Sequence, residues 1–385
     1  MVIAQIGTYP LDVNSVKGGI EASIHGLSSV LKNENEIFIF DTPRRSLEND
    51  FIEIIEGITV YRYFGKNNNY NSLKRVNKIL DDILKVEPKI CHIHGSAYLQ
   101  NKLFKELKRR KINTIVTIHG LQHIEKKKEL FKSKTLKSLF KYVMLSKSEF
   151  EIIENSNKII VDTKYVADKI IEYKKQGKIN KIPGITIIPQ GINSHFFSLK
   201  THSKHNFLLC VGAISQRKGQ IKLVECFHKV LDSNPNTKMI IAGFISNQEY
   251  YENLLKEIKI RKLESHVEIY TDNTQEDIYH LFSKAKLFVL YSEEESQGIV
   301  LAEAMSVGLP VIATNVGGIP NVIENNINGF LSDYDNPVDF TKNINILLND
   351  LHLYNKISRQ NKLEAQKYNW KIILTQVLNL YNSLL

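Results

Sequence analysis

Short apolar runs, each followed by a polar loop and a longer amphipathic stretch, repeat along nearly the whole chain. Up to residue 200 they lie at 2–7, 37–40, 58–63, 90–95, 114–120, 158–161 and 185–188. Runs of this length, bounded by turn residues and separated by helical patterns, predict parallel β-α-β units in a doubly wound sheet. Helices are expected from Gly18 to about Lys32 and, after a polar stretch at 66–71, from Ser72 to Lys85. The pattern restarts at 207–212 and continues with strands at 239–243, 267–270, 287–292, 311–314 and 328–331, then helices over 337–366. A polar segment without apolar periodicity, 200–205, separates the two series. With 385 residues the chain is too long for one ordinary domain. It reads as two α/β domains, 1–198 and 199–367, with a further helix over 368–385.

Ligands of doubly wound sheets sit beyond the carboxyl ends of the strands, so the residues there are the informative ones. Gly18 and Gly19 follow the first strand and open a helix, where the backbone can approach a ligand closely. His94 and His119 each end a strand in a His-Gly pair, and read either as site residues or as core histidines bonded to backbone. The most informative stretch is 292–314. Between Ser296 and Thr314 the only charged side chain is Glu303, set among Ile, Val, Leu, Ala and Met. A carboxylate in such company is costly without hydrogen bonds, and an acceptor-only group suits a pair of sugar hydroxyls. The other reading is a buried helix whose Glu303 pairs with a Lys or Arg. Gly298 opens that helix, so N–H groups near Gln297, Gly298 and Ile299 form a ready site for phosphate or sugar oxygens.

Glu295, seven intervening residues and Glu303, then Ala304-Met305, Gly308-Leu309-Pro310-Val311-Ile312-Ala313-Thr314 and Gly317-Gly318, resemble the donor-site signature of retaining glycosyltransferase family 4. The usual aromatic before Gly298 is Gln297 here. Pro189-Gln190-Gly191-Ile192-Asn193 is similar to the family's interdomain turn, with Gln190 and Asn193 as departures, and Lys218-Gly219 matches a further motif. Ala213 stands where the family carries an Arg. Two cations normally clamp the donor diphosphate as charge builds on the leaving oxygen. Arg217 could be the second, although neighbours on a helix diverge by about 100°, and it reads equally as a solvent-facing arginine. The resemblance implies the GT-B fold, two Rossmann-like domains facing a central cleft, with Trp370 anchoring the last helix as the chain returns to the first domain. It implies Glu303 on the ribose hydroxyls, Lys218 on the diphosphate, and Glu295 with the backbone of Ser296, Gln297, Gly298 and Ile299 on the donor sugar. His119 would lie beside the reacting sugar and the Gly18-Gly19 loop on the donor's phosphate side. The implied reaction moves a hexose-type sugar from a nucleotide-diphosphate sugar to an acceptor hydroxyl with retention, with no cofactor and no strictly required metal. Thr271 replaces the usual glycine near the nucleotide base, so the base is not legible.

Two rivals share the fold: a sugar-nucleotide epimerase, and a non-catalytic partner subunit, motivated by Ala213. An oxidoreductase would need a GxGxxG after the first strand and a P-loop kinase its Gly-Lys-Ser/Thr loop, and neither motif is present. Charge adds a further element. Up to residue 200 there are 33 Lys and Arg against 21 Asp and Glu, whereas the remainder has 18 against 20. Such a basic half attracts anionic lipid surfaces, phosphorylated substrates or nucleic acid, the last of which needs more than charge. Over 125–147, Leu130, Phe131, Leu136, Leu139, Phe140, Val143 and Met144 alternate with lysines, which reads as an interfacial helix or as one packed on its own sheet. On a membrane it would meet a lipid-linked or glycan acceptor. Three cysteines form no metal or disulfide spacing, no apolar run reaches membrane-spanning length, and no secretory signal opens the chain. The expected location is cytoplasmic, peripheral on the inner membrane face if that helix is interfacial.

Overall fold

The computed structural model describes residues 1–14, 16, 18–44, 46–65, 73–125, 127, 135–199 and 205–385. The polar stretch expected at 66–71, Ser72, Leu130 and Phe131, and the linker at 200–204 lie outside the described residues. Two compact units are present. The first comprises chiefly Gly18–Gly191 with Met1–Val13 and Trp370–Leu385, the second chiefly Ile192–Asn369. At the division, Ile192 donates its N–H to the Tyr368 carbonyl at 3.0 Å and pairs with Asn369.

In the first unit the strands are β1 (Val2–Gly7), β2 (Glu36–Asp41), β3 (Phe51–Ile55), β4 (Ile58–Arg62), β5 (Ile90–His94), β6 (Thr114–Ile118), β7 (Lys158–Val161) and β8 (Gly184–Ile187). They form one sheet in the order β3-β4-β2-β1-β5-β6-β7-β8. Its interior strands are apolar on both faces because helices cover both. Ala4, Ile6, Cys91, Ile93 and Val116 face the helices Leu73–Lys85 and Tyr98–Arg109, while Ile3, Ile37, Ile90 and Ile115 face Gly19–Leu31 and Trp370–Asn382. One edge departs from the all-parallel expectation. β3, not foreseen as a strand, pairs antiparallel with β4. The two join through Glu56 and Gly57, both at positive φ, a two-residue hairpin that needs no crossover helix.

In the second unit the strands are β9 (Phe207–Val211), β10 (Lys238–Ala242), β11 (Val267–Tyr270), β12 (Leu287–Leu290), β13 (Val311–Thr314) and β14 (Gly329–Ser332), ordered β11-β10-β9-β12-β13-β14 and all parallel. In both sheets the winding reverses beside a first strand, between β1 and β5 in one and between β9 and β12 in the other. Crevices open outside the carboxyl ends of such strand pairs.

Trp370 is the packing anchor of its helix. A Cβ added at Gly26 would lie 2.2 Å from the indole Nε1, and one at Gly191 2.5 Å from Cδ2, so the ring fills the space that two missing side chains leave. Gly191→Ala should therefore overpack this contact and cost about 1–3 kcal/mol. Urea denaturation checks this by a lowered midpoint at unchanged slope, and an unchanged midpoint would contradict the packing role.

Candidate functional site

β9 is buried along its length and releases the chain at Gly212 into a short 3-10 turn, Gln216–Lys218. The Lys218 stem runs past Gly212, 3.5 Å from where a Cβ would stand. Gly219 closes the turn with φ 64°, and a Cβ there would fall 1.9 Å from the Tyr291 carbonyl oxygen. Only glycine permits this approach, which seats the loop after β9 on the end of β12. The Glu293 N–H then donates to the Arg217 carbonyl at 2.8 Å.

Lys218 and Arg217 converge on one carboxylate. Lys218 Nζ donates to Glu295 Oε1, Arg217 Nη1 lies 3.5 Å from Glu295 Oε2, and Ser292 Oγ donates to Oε1 at 3.0 Å. Arg217 Nη1 also donates to the Glu294 carbonyl at 3.1 Å. Adjacency on the turn thus does not separate the two cations, because their stems are long enough to reach opposite oxygens. The Arg217 side chain is 33% exposed and turned inward, not simply solvent-facing. Ala213 offers only backbone, its carbonyl accepting from Gln220 Nε2. Burial pushes the Glu295 carboxyl up, but Lys218, Arg217 and the hydrogen bonds outweigh it and hold the group below the usual carboxylate range.

The backbone of Glu295 is fixed as tightly as its side chain. The Gly318 N–H donates to the Glu295 carbonyl at 2.7 Å, and a Cβ at Gly317, φ 55°, would lie 2.0 Å from that oxygen. The paired glycines thus hold the acidic loop in place. Ser296 and Gln297 are buried behind it. Gly298, φ 72°, caps the helix Ile299–Ser306, which carries Glu303.

Glu303 is the opposite case. It is half-buried, and among the described residues its carboxylate has no hydrogen-bond donor and no cation within ion-pair distance. The Lys or Arg partner of the alternative reading is thus not found among them. Burial alone pushes its carboxyl up to about 7. Two carboxylates eight positions apart are driven in opposite directions, one lowered by the cations beside it and one raised by burial alone.

The first unit places its candidates at the ends of β1, β5 and β6. Gly18 is exposed, with open space where a Cβ would stand, and Gly19 follows at the start of its helix, its carbonyl accepting from Gln190 Nε2. The loop before them is pinned by a charged network that sequence reasoning missed. Asp41 accepts from the Tyr9 N–H at 2.9 Å and from the fully buried Arg62 at 2.9 Å. Arg62 also donates to the Tyr9 and Pro10 carbonyls, and Arg44 bridges Asp41 to Glu21 at 3.0 Å. An Asp ending an apolar strand and an Arg inside another were the available signals.

His94 and His119 are bonded to side chains, not to backbone. His94 Nδ1 lies 3.0 Å from His119 Nε2, His94 Nε2 lies 3.0 Å from Gln5 Oε1, and His119 Nδ1 lies 3.2 Å from Asp162 Oδ2. Gln5 and Asp162 were not foreseen, although polar residues at period two in three buried strands (Gln5; His92 and His94; Thr117 and His119) mark a polar ladder. Among the described residues no group of three His, Cys, Asp or Glu side chains is placed to hold a metal.

Residues 17–196 match the family described as Glycosyltransferase Family 4, and residues 192–364 match Glycosyl transferases group 1. An uncharacterized glycosyltransferase of Methanocaldococcus jannaschii is 26% identical over 376 residues, 95% of each chain. Spore coat protein SA of Bacillus subtilis is 23% identical over 99% of each. Sucrose-phosphate synthase from Thermosynechococcus elongatus has TM-score 0.78 at 20% identity, covering 100% of this chain and 98% of that one. HepE of Anabaena, solved in complex with UDP and glucose, has TM-score 0.76 at 16% identity, covering 100% of both. The structural likenesses carry the fold. The chain belongs to glycosyltransferase family 4, has the GT-B fold and is a glycosyltransferase.

Glu303 ties stability to pH. Its folded-state pKa of about 7 stands above the ordinary 4.5, so ionising it costs the folded state progressively as pH rises through that window. Glu303→Gln removes the cost, so the free variant should melt above wild type at pH 8, with the gain fading as pH falls to about 4.5. Melting curves of both proteins across this range check it.

Proposed function

We propose that this glycosyltransferase is a retaining enzyme that moves a hexose-type sugar from a nucleoside-diphosphate sugar to an acceptor hydroxyl, in cell-surface polysaccharide or lipid-linked glycan synthesis. The observation that carries the reading is a Glu303 without a partner among the described residues, together with two cations gathered on Glu295 at the ends of β9 and β12. Glu303 accepts hydrogen bonds from the ribose hydroxyls. The diphosphate takes the place of the Glu295 carboxylate on Lys218 and Arg217, and Glu295, so released, grips the donor sugar together with the backbone from Ser296 through Gly298 to Ile299. Cations held against a carboxylate need little reorganisation to meet a phosphate, so their charge is in place when the leaving oxygen becomes negative.

As the bond from the anomeric carbon to the phosphate oxygen breaks, the acceptor oxygen bonds to that carbon on the same face. The acceptor's proton passes to the leaving diphosphate. No enzymic nucleophile is required, and Arg217, Lys218 and the helix N-terminus at Gly298 supply the neutralisation that a metal gives elsewhere. HepE, solved with UDP-glucose, makes uracil the first base to try.

On the helix Leu136–Asn155, Leu136, Leu139, Phe140 and Val143 are exposed at i, i+3, i+4 and i+7, with Lys137, Lys141 and Lys147 also exposed. This supports the interfacial reading for the first half of the helix. Its second half packs inward through Ile152 and Ile153. No helix among the described residues is long and apolar enough to cross a membrane. The enzyme therefore works at an anionic membrane face, where a lipid-linked acceptor is within reach.

Three measurements test this reading. A thermal-shift screen of UDP, GDP and ADP and their hexose conjugates, with and without magnesium, should show one nucleotide stabilising the protein. With that donor, Glu303→Ala and Lys218→Ala should each lower kcat/KM by about 100-fold, the loss of charged hydrogen bonds worth about 3 kcal/mol. Normal turnover by either variant contradicts the assignment. In flotation with phosphatidylglycerol vesicles, Leu139→Glu with Phe140→Glu should abolish binding, and retention equal to wild type contradicts the interfacial role.

A further inference from the structure

Glu295 depends on its two cations for compensation. Its carboxylate is buried, and the groups bonded to it are Lys218, Arg217 and the Ser292 hydroxyl. The backbone at this point is fixed as well. The Gly318 N–H holds the Glu295 carbonyl at 2.7 Å, and a Cβ at Gly317 would stand 2.0 Å from that oxygen. The carboxylate therefore moves by rotation of its own side chain, with the loop held in place.

An anion that binds Lys218 and Arg217 competes with Glu295 for the same two cations. If it takes both, the carboxylate keeps only the Ser292 hydroxyl, and a buried charge with so little compensation is costly. A ligand offsets that cost only if it brings donors of its own. Hexose hydroxyls donate to a carboxylate, whereas the ionised oxygens of a diphosphate only accept. The inference rests on the transferase reading: we propose that Glu295 is a specificity-determining residue, an internal competitor that opposes a bare diphosphate on Lys218 and Arg217 and favours one that carries its hexose.

Three features of the site support this. Lys218 and Arg217 outweigh burial and hold the Glu295 carboxyl below the usual carboxylate range, so at neutral pH the contest is between two anions. Arg217 is also tied to the Glu294 carbonyl at 3.1 Å, so the protein itself aims this cation at the carboxylate. Ala213 contributes only its carbonyl, which accepts from Gln220 Nε2, and so brings no cation to hold a phosphate while Lys218 and Arg217 stay on Glu295.

The same contact serves both ends of the reaction. A hexose on the donor occupies the released carboxylate. Once the hexose has been transferred, Glu295 returns to its cations and drives the spent diphosphate off.

Calorimetric titration of the full-length protein with inorganic pyrophosphate tests the competition without any nucleotide. Glu295→Gln removes the charge and keeps an acceptor for Lys218, so it should bind pyrophosphate about 10-fold more tightly than wild type. Adding Lys218→Met to this variant should remove the gain, which places the pyrophosphate on that cation. A second titration uses the nucleoside diphosphate found by screening and its hexose conjugate. Glu295→Gln should gain for the free nucleotide and not for the conjugate, so the preference for the conjugate falls by about 10-fold. A residue that only touched the sugar would give a weaker conjugate with pyrophosphate and free nucleotide unchanged, and that result overturns the proposal. So does a variant that binds pyrophosphate no better than wild type. If Glu295→Gln does not fold, Glu295→Ala, which leaves room for water on the cations, replaces it with the same signs expected. A gain for pyrophosphate with no nucleotide response supports the competition and counts against the transferase reading, whereas a nucleotide response without the gain does the reverse.

Discussion

The second unit is organised around a buried carboxylate that must be neutralised where it stands. Glu295 sits at the point where the winding of the sheet reverses, and three loops that reach this point make contact with it. The turn after β9 brings Lys218 and Arg217, the end of β12 brings Ser292, and the loop after β13 lays Gly317 and the Gly318 N–H against its carbonyl. An uncompensated carboxylate here would cost several kcal/mol, and removing one partner of such a group is more damaging than never having had it. The requirement explains why three loops of different origin carry glycine, a hydroxyl or a cation at these particular positions. The same requirement gathers two cations, Lys218 and Arg217, at one point, and Glu303, eight residues on, is left with no partner among the described residues.

The first unit solves a related problem with hydrogen bonds in place of ion pairs. Parallel strands buried on both faces admit few polar side chains, and those admitted must be satisfied by each other. The ladder from Ser28 through Gln5, His94 and His119 to Asp162 does this across four strand ends, and the Asp41, Arg62 and Arg44 network does it for the loop ahead of Gly18. Neither group is spread through the core. Both lie at the carboxyl ends of strands, the one edge of a doubly wound sheet where the chain leaves the sheet and ligands bind.

Much of this was legible in the residues. Strand and helix periods marked thirteen of the fourteen strands, and a single carboxylate in an apolar helix drew attention to Glu303 before any geometry was known. What was not legible has physical causes. β3 is a short edge strand of mixed exposure whose antiparallel pairing follows from a two-residue turn, Glu56-Gly57, that carries no glycine or asparagine at its first position. Arg217 could not be placed because sequence spacing gives the direction of a Cβ, whereas the reach of a long side chain decides what it meets. Gln5 and Asp162 each look ordinary alone, and their meaning depends on neighbours contributed by strands far away in sequence. Gln190, which departs from the resembling motif, holds the Gly19 carbonyl, a role that only the fold assigns.

In the proposed site Glu303 is the acceptor for the ribose hydroxyls. The most direct measurement is a calorimetric cycle that compares uridine diphosphate, or the nucleotide found by screening, with its 2′-deoxy and 3′-deoxy analogues in wild type and Glu303→Ala. If the carboxylate holds the hydroxyls, each deletion should weaken binding to wild type by about 1.5–3 kcal/mol and change binding to the variant by much less. Equal losses in the two proteins would show that the hydroxyls and Glu303 act independently, and would contradict the site as described.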